Sequence, residues 1–247
     1  MKRTGIISAM IEEINFLLKS VDIERTETIG QREYYIGKFE NKEVVLVFSR
    51  WGKVASSSTV TTLINIFDVK EVIFTGVAGS IDESINIGDV VIAEGLIQHD
   101  FDASPFLEEN TLPFINKKSI PSDKNISEKL FKSCEKYFKS GIDKTLANEF
   151  NLHEVKAVMG NIASGDQFIK SDKRRSEIKN ITDNIYAVEM EGAAIAQVCF
   201  EYNVPFAVIR TISDSANSSA PVDFSKFVNE VASEYSYNIL KHYMVGK

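Results

Sequence analysis

Short apolar runs alternate along this chain with segments whose apolar residues recur every three or four positions, and that alternation limits its fold more than any other feature. Gly5-Ile6-Ile7-Ser8-Ala9-Met10 reads as a buried strand, and residues 11–20 follow it with Ile11, Ile14, Leu17 and Leu18 at helical spacing. Residues 34–39 and 44–48 form a hairpin-like pair around Glu40-Asn41-Lys42. A Ser/Thr-rich helix is expected over 54–67. A strand over 72–75 should then end in the small-residue turn Gly76-Val77-Ala78-Gly79-Ser80. Further strands are expected at 89–97, 153–163, 185–188 and 204–212, and helices at 126–139, from about 189, and at 224–244, the last on the surface. Residues 99–125 hold Pro105, Pro113 and Pro121 with little periodicity, the mark of a functional or mobile loop such as a lid. No linker or internal repeat divides the chain. The expectation is an α/β fold in a single domain, 1–247, with a twisted, mixed but mostly parallel central sheet flanked by helices. In such sheets ligands lie beyond the carboxyl ends of the strands.

Composition removes several classes of function. At 247 residues the chain can bury a full core without disulfide or metal staples. Its net charge of −7, without a basic run, argues against binding nucleic acid. Two cysteines, Cys134 and Cys199, make no disulfide framework and fit a reducing, cytoplasmic setting. The opening Lys2-Arg3 precedes an apolar run too short for a signal peptide, broken at Glu12-Glu13, and no stretch is long enough to span a membrane. His99, His153 and His242 are scattered and no zinc-type spacing occurs, so no metal is expected; His99-Asp100 reads as structural.

Acidic residues stand where three strands give way to helix or loop: Glu12-Glu13, Glu189 with Glu191, and Asp214. Each has an ordinary explanation, as a dipole-compensating first-turn residue or a turn cap. Three such clusters at one end of a sheet also suit chemistry needing one carboxyl as acid and another as base, as in cleavage of a glycosidic bond.

The chain resembles the 5'-methylthioadenosine/S-adenosylhomocysteine nucleosidases, within the nucleoside phosphorylase/hydrolase superfamily. The resemblance spans nearly the whole length. It is carried in order by Gly5 to Glu13, Gly52-Lys53-Val54-Ala55, Thr75-Gly76-Val77-Ala78-Gly79, Gly88-Asp89-Val90-Val91, His99-Asp100-Phe101-Asp102, Ser164-Gly165-Asp166-Gln167-Phe168-Ile169, Val188 to Ala194, and Arg210-Thr211-Ile212-Ser213-Asp214. It implies a nucleoside phosphorylase-like fold, with Glu13 as the base that activates water and Asp214 as the acid that protonates adenine N7. Glu191 and the Met190 backbone would hold the ribose hydroxyls, Phe168 would lie on the purine face, and the Ile169 backbone would read its edge. Gly79, with Ala78 and Ser213, would approach the substrate closely. Met10, Phe106 and Phe224 would line the slot for the 5'-thio substituent, a place suited to pliable apolar side chains. The resemblance further implies a part in methionine salvage, no cofactor, and a homodimer in which the neighbour's loop near Ala103 and Phe106 closes the site.

The superfamily also contains phosphorylases, whose phosphate needs paired arginines or a nest of amides. Bacterial-type phosphorylases carry an Arg just before the Gly76 stretch, where this chain has Phe74-Thr75. Glu13 would repel phosphate; Arg50 and Arg210 remain as possible anion ligands, with Arg50 reading rather as a surface cation, and hydrolysis is favoured over purine phosphorolysis. A non-catalytic nucleoside-binding or storage protein would be expected to lack the acid or the base, and both are present. The sequence departs from the family at Trp51, beside the 5' slot, and at Val77 and Ser80.

Overall fold

The protein is described here by a computed structural model, which covers residues 3–152, 154–216, 224 and 227–246. His153, the start of one expected strand, and residues 225–226 of the expected last helix lie outside the described residues.

The chain opens with β1 (Thr4–Ser8), a 3₁₀ turn (Glu12–Ile14) and α1 (Asn15–Ser20). β2 (Asp22–Ile29), β3 (Arg32–Phe39) and β4 (Lys42–Phe48) form an antiparallel meander. Both of its turns are two-residue connections with left-handed backbones, at Gly30-Gln31 and Glu40-Asn41, the geometry that matches strand twist. Then come α2 (Lys53–Asn65), β5 (Glu71–Ser80), β6 (Val90–Gln98), β7 (Ser119–Pro121), α3 (Lys124–Ser140) and α4 (Lys144–Glu149). The chain continues through β8 (Ala157–Ser164), α5 (Asp172–Lys179), β9 (Ile185–Glu189), α6 (Gly192–Glu201) and β10 (Phe206–Asp214). It finishes with a π-helical turn (Val228–Ala232) that runs into α7 (Ser233–Val245).

The strands join in one mixed sheet, in the order β10-β6-β8-β9-β5-β1-β4-β3-β2, with β7 on β6. β10 also pairs with β5, so β5, β10, β6, β8 and β9 close into a ring. Parallel pairs run through β4-β1-β5-β10 and β6-β8-β9. Antiparallel pairs lie at the two seams, β10–β6 and β5–β9, and in the outer meander.

Alternation along the strands explains why their sequences read as continuous apolar runs: both sheet faces are covered. Ile7, Val45, Val47, Val72 and Phe74 face one core, shared with Val60 and Leu63 of α2 and Ile195 of α6. Ile6, Val44, Leu46 and Ile73 face the other, shared with Leu130 of α3, Leu17 of α1 and Leu240 of α7.

Two expectations are corrected. Residues 76–80 are strand rather than turn, because β10 pairs along one edge of β5 and β9 joins its end, so small residues there admit neighbouring backbone. Residues 99–125 are no free lid. Leu112 and Ile120 are buried in the first core, β7 pairs with β6, and the Asn110 amide donates to the Gln98 carbonyl. The last helix lies on the outside but buries a broad face, with Tyr235 and Leu240 fully covered.

Candidate active site

The carboxyl ends of β5, β9 and β10 meet at Gly79, which pairs with Val188 on one side and Asp214 on the other. A register shift between Ile212 and Asp214 bends the end of β10 at this point. β1 runs along the opposite edge of β5 and delivers the turn that carries Glu13. Between these ends lies a cavity of about 400 Å³.

Glu13 is buried against its wall, whereas Glu12 is exposed. Oε2 of Glu13 accepts from the Ser8 hydroxyl (2.6 Å) and from the backbone N–H groups of Ala9 and Met10 (2.9 Å each). Oε1 accepts from the Val77 N–H at 2.9 Å. Four donors on two oxygens fix the carboxylate in one orientation. Gly76 makes this possible: a Cβ there would stand 2.5 Å from Glu13 Oε1 and would collide with the Arg210 guanidinium.

Asp214 comes from the β10 side. Its Oδ1 accepts from the Ala216 N–H at 2.8 Å and its Oδ2 from the Ser213 hydroxyl at 2.9 Å. Gly79 gives it room, since a Cβ there would sit 2.8 Å from Oδ1.

A buried charged cluster stands beside the site. Arg210 is 1% exposed, stacks its guanidinium 3.8 Å from the centre of the Phe74 ring, and donates to Glu189. Glu189 also accepts from the Gly192 and Glu191 N–H groups and from the Ser164 hydroxyl. Glu191 accepts at Oε1 from the Gly52 N–H (2.8 Å), and its Oε2 is 3.7 Å from Arg210. Burial, reinforced by the charge of Glu189, pushes the Glu191 carboxyl up to about 8, against the opposing pull of Arg210 and the Gly52 N–H.

A loop after β8 supplies the remaining wall. Phe168, 45% exposed, lines the cavity and meets Phe224 edge to face, with ring centres 6.0 Å apart. Ile169 is buried beside it, and Met190 precedes Glu191 along the same wall. Met10, Ala78 and Ser213 also line the cavity. Of the residues given a catalytic or substrate-contacting role from sequence, all but Phe106 line the cavity; Phe106 is 89% exposed.

Trp51 stands at the cavity's rim, 64% exposed, between Arg50 and Gly52, both with left-handed backbone (φ +69° and +93°). Arg50 itself bonds the Gln31 carbonyl at the surface. The residue with no role assigned from sequence is Glu189, visible there only as the partner of Glu191 in an acidic cluster. Arg210, a possible anion ligand from sequence, is buried and engaged by Glu189. Among the described residues no group of three His, Cys, Asp or Glu side chains is placed to hold a metal ion, and no helix is long and apolar enough to cross a membrane.

The chain matches the phosphorylase superfamily over residues 3–244. It is 36% identical over 236 residues to the 5'-methylthioadenosine/S-adenosylhomocysteine nucleosidase of Staphylococcus aureus (strain bovine RF122 / ET3-1), an alignment covering 95% of this chain and 96% of that protein. The solved structure of the corresponding nucleosidase from Colwellia psychrerythraea 34H, in complex with adenine, matches with a TM-score of 0.86 at 30% identity, covering 98% of this chain and 94% of that one. The futalosine hydrolase of Helicobacter pylori strain 26695 matches with a TM-score of 0.82 at 34% identity, covering 98% and 97%. Sequence and fold agree along the full length: the chain belongs to the phosphorylase superfamily, among its 5'-methylthioadenosine/S-adenosylhomocysteine nucleosidases.

Proposed function

We propose that this protein hydrolyses the N-glycosidic bond of 5'-methylthioadenosine and S-adenosylhomocysteine to adenine and the 5-thioribose, and accepts 5'-deoxyadenosine in the same way. One observation carries the reading: Glu13 and Asp214 reach a single cavity from opposite edges of β5. Adenine leaves poorly as an anion. Asp214 gives its proton to N7 as the C1'–N9 bond stretches, and Glu13 takes a proton from the water that attacks C1'. Positioned proton transfers of this kind contribute roughly 10²–10⁴-fold each. The carboxylate of Glu13 also stabilises the positive charge that builds on the sugar. Phe168 offers the purine a stacking face and the Ile169 backbone its edge contacts, while Glu191 and the Met190 backbone hold the ribose hydroxyls. Met10 and Phe224 supply apolar surface for the thioether.

Water is favoured over phosphate as the nucleophile. Arg210 is engaged by Glu189, Arg50 is held at the surface, and no Arg or Lys among the described residues lines the cavity. The test is adenine release in phosphate-free buffer. Turnover should be undiminished there, and strict dependence on added phosphate overturns the reading. The futalosine hydrolase neighbour makes a futalosine-type nucleoside a further substrate for the same assay.

The exposure of Phe106, Trp51 and Val54 supports a homodimer in which the neighbour's loop near Ala103 and Phe106 closes the 5' side of the site. The buried, unpaired Cys134 and Cys199 suit a cytoplasmic protein.

A further inference from the structure

Helix α2 begins without a side-chain cap of its own: Gly52 precedes it, and no nearby residue accepts from its first turn. The first N–H groups of a helix need acceptors. Here they are met by carboxylates from elsewhere in the chain. The Gly52 N–H donates to Glu191 Oε1 and the Lys53 N–H to Asp166 Oδ1, each at 2.8 Å. Gly52 also has to be glycine, because its φ is +93° and a Cβ would lie 2.9 Å from Asp166 Oδ1.

Asp100 joins both contacts. Its Oδ1 pairs with Lys53 Nζ at 2.6 Å, and its Oδ2 accepts from the Asp166 N–H at 2.9 Å. Both side chains of the ion pair are sheltered, at 19% and 16% exposure. Burial acts to raise the Asp100 carboxyl, but Lys53 and the Asp166 N–H outweigh it and hold it below its ordinary value. Asp100 is therefore a carboxylate at neutral pH, and the Gln98 side-chain oxygen adds a further acceptor, 3.3 Å from Lys53 Nζ.

We propose that Asp100 is a positioning residue. Through Lys53 it sets the N-terminus of α2 that holds Glu191, and through the Asp166 N–H it sets the loop that carries Phe168 and Ile169. Asp100 does not line the cavity. It fixes the distance between the wall that takes the purine and the Glu191 carboxyl group that takes the ribose, so the two halves of the nucleoside meet a site already spaced for them. Positioning errors of about 1 Å cost up to about 10²-fold in rate. This inference rests on the nucleosidase reading.

The test compares KM and kcat on 5'-methylthioadenosine, together with thermal midpoints, for wild type, Asp100→Ala, Asp100→Asn, Lys53→Met, Lys53→Arg and the Asp100→Asn/Lys53→Met double variant. Asp100→Ala and Lys53→Met should each raise KM about tenfold or more, with a smaller fall in kcat. Asp100→Asn, which keeps one acceptor, should lie between Asp100→Ala and wild type. Lys53→Arg should restore most of the affinity. The double variant should cost no more than its worse single change, as expected for groups acting as one unit. Folded variants with KM within about twofold of wild type, or additive losses in the double variant, overturn the proposal. If Asp100→Ala does not fold, Asp100→Asn and Lys53→Met decide by the same criteria. No adenine release by the wild type counts against the nucleosidase reading itself, whereas equal KM in active wild type and variants counts against Asp100 alone.

Discussion

At the scale of single residues, the site is defined by which carboxylates the fold buries and what each one faces. Replacing Asp214 by Asn removes the proton donor while keeping the shape and one of its two acceptor oxygens. Adenine release should fall by roughly 10²–10⁴-fold with nucleoside binding largely kept, and near-normal turnover by that variant would show the acid to be misassigned. Glu191 gives a prediction in pH. Its carboxyl titrates near 4.5 when unfolded and near 8 in the folded protein, so the folded state binds its proton more tightly. Glu191 therefore contributes stability that is full at acidic pH and lost as pH rises through about 8. From roughly pH 5 to 9 the thermal midpoint of the unliganded wild type should fall further than that of Glu191→Gln; parallel curves would refute the assignment. Charge and position alone marked the acidic cluster without separating Glu12 from Glu13; in the sequence only the family resemblance singled out Glu13. The turn after β1 exposes one and aims the other at four donors.

At the scale of elements, strand ends do the positioning. β5 carries glycine where side chains from β10 and the Glu13 turn come closest. Gly76→Ala should push Glu13 and Arg210 apart from their present places. We expect kcat to fall by up to about 10²-fold, with a loss of about 1–3 kcal/mol in stability, measured by steady-state kinetics and denaturant unfolding. An unchanged kcat would mean that the carboxylate has more freedom than its four hydrogen bonds suggest. Elements differ in how far their sequence announces them. The doubly covered strands β1, β4, β5, β6 and β10 are legible because both faces must be apolar. β2 is not, because Asp22–Ile29 is a mostly exposed edge strand with only Ile23 and Ile29 apolar, held by a tight turn and its pairing with β3. Residues 76–80 mislead for the opposite reason: small residues that look like a turn are a strand hemmed in by its neighbours.

At the scale of the whole molecule, the sheet separates two cores, and the closed ring of strands places three carboxyl ends around one cavity. The core beneath α7 reaches Val77 and Ile14 beside the site, but Leu240 itself does not line the cavity, so its truncation should act on stability rather than on binding. Leu240→Ala empties a fully buried position and should cost about 2–5 kcal/mol in unfolding free energy with KM unchanged. A large change in KM with stability intact would show that α7 is coupled to the cavity.

The sequence by itself determined the class of fold, the strands whose both faces are buried, and the acidic residues at their ends, because periodicity and apolar content are local properties written along the chain. Only the tertiary structure decided that β10 would pair with β5, that Glu13 and Asp214 would open on the same cavity, that Phe106 would stay out of its lining, and that Asp100 would reach both Lys53 and the Asp166 backbone. Those relations join residues from 47 to about 200 positions apart, and strand order, which no local pattern encodes, sets the distances between them.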